Sequence, residues 1–314
     1  AFPQWPVDCT VETLMKRLWR VLLEFHGVSE LPFIWFWPDG CSAAGVMTHD
    51  VETAAGRDFC DRIMEVEADY GVRSSFEVVP ERRYHVPPSF LNDIGRNGCE
   101  VCLHGLNHDG HLFRTEAVFR ERAAQINAYA QQFGARGFRS PVMYRRPEWF
   151  DAFEFSYDMS FPNVAHLDPQ RGGCCTVMPY FIGNLVELPL TTIQDYSLFH
   201  ILNDYSIDLW KRQIETIVSN HGLVSFIVHP DYVSEERALE SFRALLGHLR
   251  QKAASERIWL ALPGAVADWW RLRDALELVE TNGRIRIEGD GSDRASVAYA
   301  CLEDGNVVYR REAR

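Results

Sequence analysis

No apolar run in this chain approaches the roughly 18 residues that a membrane-spanning helix needs, and no secretory leader pattern opens it. A basic surface is also missing. The 32 Lys and Arg residues face 44 Asp and Glu, a net charge of -12. That argues against nucleic acid as a main partner, because phosphate binding needs clustered positive charge. No low-complexity tract and no internal repeat are present. Cysteine is not scarce, at 8 residues, but "CEVC" (Cys99 to Cys102) has no second CxxC to complete a four-ligand zinc site. It lies in a strand-like run, where positions i and i+3 face opposite sides. "CC" at Cys174 and Cys175 reads as structural or incidental. The thiols are therefore expected to be free, and the chain to be cytoplasmic.

What remains is an ordinary globular composition, 46% hydrophobic and 24% charged over 314 residues. Residues 11–26, "VETLMKRLWRVLLEFH", place Leu14, Leu18, Leu22 and Phe25 at helical spacing. After "WFWPDG" a unit recurs: a short apolar run, a polar cluster, then a helical stretch often ending in Gly. The runs are "AAGVM", "RSSFEVV", "CEVCL", "GF", "EFSYDMSF", "NLVELPL", "LVSFIV" and "RIWLAL". Strands alternating with helices imply parallel pairing and an α/β fold. About seven units suggest a distorted (β/α)7-type barrel. After it, "DGSD" and "EDGN" read as hairpin signals of a small C-terminal β appendage. The expected division is an N-terminal helical segment (1–30), a barrel (31–275) and a β appendage (276–314).

Working residues of such barrels sit at the C-terminal ends of the strands, and here polar residues repeatedly follow the apolar runs. The first run ends in "THDVE": His49, Asp50 and Glu52. The third ends in "HGLNHDGH": His104, His108 and His111. Arg139, Ser140 and Pro141 follow "GF", Asp158 and Ser160 lie in "YDMSFPN", "PLTTIQD" follows "NLVEL", and His229, Pro230 and Asp231 follow "LVSFIV". Four residues apart on a helical turn, His104 and His108 would share one face and reach one metal ion; alone, the pair reads slightly more readily as two unrelated surface histidines. A third ligand would be Glu52 or Asp50. Two His and one carboxylate leave a position open for water, as catalytic sites do. His229 reads either as a proton donor or as a satisfied histidine before a Pro turn. Trp35, Trp37, Trp149, Trp269 and Trp270 could stack on sugar rings, although "ADWWRLRDALE" reads more simply as an amphipathic helix with its Trp pair packed on the barrel.

The order of "THDVE", "HGLNH", "RSPV", "DMS" and "IVHP" resembles the five motifs of the polysaccharide deacetylases, carbohydrate esterase family four, across about residues 31–270. It is most similar to the branch with a THDVD-like first motif, met in surface-glycan gene clusters. The resemblance implies a metal-dependent hydrolase that removes N-acetyl or related acyl groups from an amino sugar in a polysaccharide or glycolipid. It implies a divalent ion, zinc with cobalt or nickel as alternatives, on His104, His108 and Glu52. Asp50 would be the base, oriented by Arg139. His229 would protonate the leaving amine, oriented by Asp158. The backbone N–H of Val142 would help hold the oxyanion. His49 is expected to pack away from the site, with Asp109 and His111 around it. Two departures stand out. Val51 replaces the second Asp of the first motif, with a carboxylate one place later at Glu52, and Val142 replaces a Tyr. A small-molecule amidohydrolase opening cyclic imides or ureides, and a non-catalytic glycan-binding domain, are the competing readings.

Overall fold

A computed structural model describes residues 4–165, 167 and 170–312. The chain opens with α1 (Thr10–His26) and β1 (Glu30–Ile34). It then alternates through β2 (Ala43–Val51), α2 (Ala54–Asp69), β3 (Ser74–Val78), α3 (Pro88–Arg96), β4 (Glu100–His104), α4 (Glu116–Phe133), β5 (Gly137–Arg139) and β6 (Tyr157–Asp158). A hairpin of β7 (Tyr180–Ile182) and β8 (Leu185–Glu187) precedes α5 (Asp208–Ser219), β9 (Leu223–Ile227), α6 (Glu236–Glu256), β10 (Ile258–Leu260) and α7 (Pro263–Asp274). The chain closes with β11 (Glu277–Thr281), β12 (Arg284–Glu288), β13 (Val297–Glu303) and β14 (Asn306–Arg311).

Every residue of β2 is buried, because parallel strands inside a helix layer are covered on both faces. It pairs in parallel with β9 along Ala44–Thr48 and with β3 along Met47–Val51, while β10 adds to its first residues. From β3 the parallel order runs β4, β5, β6, β8, with β7 antiparallel at the end. The ring closes less regularly. Past β8, the Thr191 hydroxyl donates to the Leu223 carbonyl at 2.7 Å and accepts from Ser225 N at 2.9 Å, and Thr192 N donates to Ser225 O. Side chains thus replace part of the ladder, which distorts the barrel at this seam. The result is the expected α/β barrel with an N-terminal helix and C-terminal strands.

Helices α2, α5 and α6 cover one side through Ile63, Trp210, Ile214, Phe242 and Leu246. Helix α4 covers another over an aromatic layer of Phe119, Phe138, Phe150, Phe153 and Phe155. All eight thiols are free. Cys102 is buried with its sulfur 3.0 Å from the Tyr157 hydroxyl, and Cys99 is half-buried.

The termini pack differently from their sequence patterns. "EDGN" does turn β13 into β14, but "DGSD" links strands of different sheets, and the β11–β12 turn is made at Asn282–Gly283. Strand β13 pairs antiparallel with β1 from Glu30↔Cys301 to Ile34↔Val297, so the sheet draws residues on both sides of the barrel into one unit. Helix α1 lies against it through Leu23, which packs with Ala300 and Val307. Docking through Leu23 and Trp19 turns the Leu14, Leu18, Phe25 stripe outward, and Phe25 is 83% exposed. The inward face instead buries Glu12, whose carboxylate accepts from Thr176 Oγ1 and from Val177 N at 3.0 Å.

Gly137 starts β5 against the fully buried ring of Tyr157, and a Cβ there would overlap that ring. Gly137→Ala is expected to cost about 1–3 kcal/mol, as overpacking does. Urea denaturation should show a lower midpoint at an unchanged m-value.

Candidate active site and metal centre

Successive residues of a strand face opposite sides. On β2 this sends Thr48 and Asp50 into the barrel mouth and His49 into the helix layer. His49 is fully buried. Its Nε2 lies 2.9 Å from Glu67 and its Nδ1 2.9 Å from the Val228 carbonyl. Burial opposes its protonation, but Glu67 outweighs this and raises its pKa. Two acceptors on two ring nitrogens fit an imidazolium.

Arg139, at the end of β5, is also fully buried. Its Nη1 donates to Asp50 Oδ1 at 2.7 Å and Thr48 Oγ1 at 2.8 Å, and its Nε donates to the Met159 carbonyl at 3.1 Å. Glu77, on β3, stands 3.5 Å from the same Nη1. Burial would raise the pKa of Asp50, but Arg139 and then His104 hold it below its usual value. Burial wins at Glu77, whose pKa is pushed up to about 7. Glu77 accepts from His49 N at 2.8 Å and from the Ser75 hydroxyl, and so ties the guanidinium to β2 and β3. The sequence reading assigned Glu77 no role; its only signal was an acid inside the apolar run "SSFEVV".

Glu52 is the first residue past β2. Its Oε1 lies 2.9 Å from His108 Nε2, 3.4 Å from His104 Nε2 and 3.5 Å from His229 Nε2. Burial favours the neutral acid, but hydrogen bonds from His104, His108 and His229 hold its pKa far below the ordinary range. His104 ends β4, and its Nδ1 lies 3.2 Å from the Arg139 carbonyl, which fixes Nδ1 as an N–H and turns Nε2 to the mouth. The turn to His108 is not helical. Gly105 has φ 66° and His108 φ 53°, and this irregular turn brings the two rings to a centroid distance of 5.0 Å. Helical spacing is thus replaced by a left-handed turn, with the same convergence.

His229 follows β9. Asp195 Oδ1 lies 2.7 Å from His229 Nδ1, and Asp195 Oδ2 accepts from His229 N at 2.7 Å. Burial disfavours the charged ring, yet Asp195 and then Glu52 raise its pKa well above the usual value. Asp158, expected to orient His229, does not reach it. Asp158 accepts from Ser160 Oγ at 2.7 Å and faces Glu187, and burial raises the pKa of both acids. The reason is the ring order: β6 pairs with β5 and β8, whereas Asp195 lies just past the Thr191–Thr192 seam, against β9. Asp195 ends "PLTTIQD", and its place after an apolar run was the signal available.

Val142 lines the mouth with φ 59°, an unusual conformation for a β-branched residue. The mouth encloses about 590 Å³, and Tyr196, Ile201 and Tyr232 form its rim. Trp35, Trp37, Trp269 and Trp270 are buried in the core, so the aromatic surface at the site is tyrosine. His111 is exposed, and Asp109 is held by Arg122 at 2.7 and 2.8 Å, away from the convergent histidines.

Among the described residues, two donor sets have ligand atoms within 4.8 Å of one another: Glu52, His104 and His108, and Asp50, Glu52 and His229. Ligands about 2.1 Å from a tetrahedral ion are about 3.4 Å apart. The 3.4 Å separation of Glu52 and His104 matches this spacing, and the 2.9 Å separation of Glu52 and His108 is shorter.

The distorted β/α barrel recurs in solved structures. A protein from Mycobacterium smegmatis assigned as a polysaccharide deacetylase superposes with a TM-score of 0.62 at 19% identity, over 80% of this chain and 98% of that one. The Puue allantoinase gives 0.59 at 13% identity, over 75% and 92%. A protein from Pseudomonas aeruginosa PAO1 assigned as a polysaccharide deacetylase gives 0.59 at 12%, over 74% and 91%. No family model and no curated protein sequence matches the chain.

The Asp195 contact has a direct readout. An anionic partner favours the imidazolium, so Asp195→Asn should lower the pKa of His229 in a side-chain NMR titration. Asp158→Asn should leave it in place. The reverse pattern would mean that Asp158 holds the ring.

Proposed function

We propose that the chain is a metal-dependent deacylase that hydrolyses an N-acyl group, foremost N-acetyl, on an amino sugar of a glycan or glycolipid. The observation that carries this reading is the convergence of three imidazoles on one carboxylate oxygen of Glu52, beside an Asp50 held by a buried arginine. His104, His108 and Glu52 would hold the ion. His229 is the weaker ligand candidate, because Asp195 favours its protonated form and a metal ligand must offer a free lone pair. A divalent ion there, zinc or else cobalt or nickel, would supply a Lewis acid for the acyl carbonyl and lower the pKa of water.

The chain's own groups do the rest. Arg139 holds Asp50 Oδ1, which leaves Oδ2 toward the mouth, 3.7 Å from His104 Nε2, to take the proton of the attacking water. The water oxygen bonds to the acyl carbon. The Val142 N–H, carried on its left-handed turn, would help hold the oxyanion, as the motif resemblance implies. His229 gives its proton to the amine nitrogen as the C–N bond breaks, and Asp195 balances its charge. Asp158 belongs to the β6–β8 carboxyl pair and takes no part in this scheme. Tyr196 and Tyr232 offer flat apolar surface to a sugar ring. Membership of the THDVD-like branch, with a part in surface-glycan biosynthesis, is proposed on the first motif alone, and a cytoplasmic location on the free thiols. No helix among the described residues is long and apolar enough to cross a membrane.

Opening of a cyclic ureide is the second reading, prompted by the allantoinase that shares the fold. The tyrosine rim favours the sugar.

His104→Ala is expected to lose stoichiometric zinc in elemental analysis, while Asp50→Asn and His229→Ala keep it and release acetate roughly 10²–10⁴-fold more slowly. Turnover of ureides without acetate release from N-acetylated glycans would transfer the assignment to the second reading. Zinc-free wild-type protein after reconstitution would remove both.

A further inference from the structure

A second cavity, larger than the mouth of the site, lies where α1 crosses the β1–β13–β14 sheet and meets α7. It encloses about 840 Å³, within the range of roughly 300–1,000 Å³ typical of small-molecule sites. Its walls are apolar and largely aromatic: Trp19, Phe33, Phe36, Met178, Tyr180 and Trp270 contribute. The segment from Arg171 to Cys174 separates it from the catalytic mouth, since Arg171 lines the mouth and Gly172 to Cys174 line the cavity. Arg145 clips this wall by donating to the carbonyls of Met143 and Gly172.

Two of the cations that line this apolar space, Arg273 and Lys16, make no ion pair with a carboxylate among the described residues. Arg273 donates to the carbonyls of Trp35 at 3.0 Å and Ile34 at 2.7 Å, and its guanidinium lies over Phe36 and Trp270 at 5.6 and 5.1 Å. Burial depresses its pKa to about 10. Lys16 stands over the Tyr309 ring at 5.8 Å. The acid in the wall, Glu12, is committed to Thr176 and Val177, and burial raises its pKa. A cation in an apolar wall is costly without an anion beside it. The rim is apolar as well: Val11 and Met15 line the cavity yet stay 38% and 45% exposed, next to the outward Leu14 and Leu18.

We propose that this cavity binds a single-chain anionic amphiphile, an alkyl or isoprenoid chain ending in a phosphate or carboxylate. The chain lies against the aromatic wall, the head group is met by Arg273 and Lys16, and entry is over the apolar face of α1. The proposal does not depend on the deacylase reading, because none of its residues belongs to the catalytic mouth.

Hexadecyl phosphate, below its micellar concentration, tests this by titration calorimetry and native mass spectrometry on the full chain. One molecule per chain should bind. Hexadecanol, which lacks the charge, should bind at least about tenfold more weakly, and inorganic phosphate should not saturate the site at a hundredfold higher concentration. Lys16→Glu and Met15→Glu sit on the outer turns of α1 and should fold normally, as checked by circular dichroism. Each should weaken hexadecyl phosphate about tenfold or more while leaving zinc content unchanged. Absence of saturable binding, equal binding of hexadecanol, or indifference to both variants would overturn the proposal. So would a dimer that Met15→Glu dissolves and hexadecyl phosphate does not, since a second copy would then cover the cavity.

Discussion

The site is organised around one buried cation. Arg139 has no exposed surface, and a guanidinium there is tolerable only if its donors are met and its charge is balanced. Its contacts reach β2 through Thr48 and Asp50, the segment after β6 through the Met159 carbonyl, and β3 through Glu77. Its own carbonyl meets His104 at the end of β4. One residue therefore links four strand ends. Asp50 stays ionised against it, and burial pushes Glu77 toward the neutral acid, so the cluster stays close to electrical balance. The carboxylate proposed as the base is thereby held rigid without being neutralised.

The alternation of β2 extends this order to a second network. Asp50 points in and His49 points out, yet both reach the same end of the barrel. The His49 ring holds the Val228 carbonyl, the residue before His229, while Asp195 holds the backbone N–H and ring of His229 itself. The last strand end is thus gripped from the helix layer and from the seam. Buried polar groups paired in this way fix geometry more surely than apolar packing can.

Much of the fold was legible because periodicity is a local property: apolar runs and amphipathic helices announce themselves within a dozen residues. The convergence of Glu52, His104 and His108 was legible for the same reason, since each closes a readable strand or follows one closely. What failed depended on ring order. That Asp195 and not Asp158 reaches His229 is decided by which strands flank the irregular seam, and no spacing along the chain encodes this. The outward turn of Leu14, Leu18 and Phe25 has a similar cause. A helix pattern shows that a face is apolar, but the docking partner, here Leu23 against β13 and β14, decides which face is covered. Glu77 was hidden because an acid in an apolar run looks like noise until its partner from another strand is known.

The β1–β13 pairing carries a consequence for how the molecule is made. Glu30 and Cys301 are 271 residues apart, and β1 has an exposed or half-buried pattern rather than a closed core of its own. Ribosomal synthesis runs from one end, so the barrel strands emerge long before β13 does. Through that interval "ELPFI" is a bare strand edge beside the aromatic residues that follow it, the kind of template that pairs with foreign chains. Pro32 within β1 removes one donor from this edge. The nascent protein thus passes through a long, adhesive stage whose end is set by translation speed, not by barrel stability.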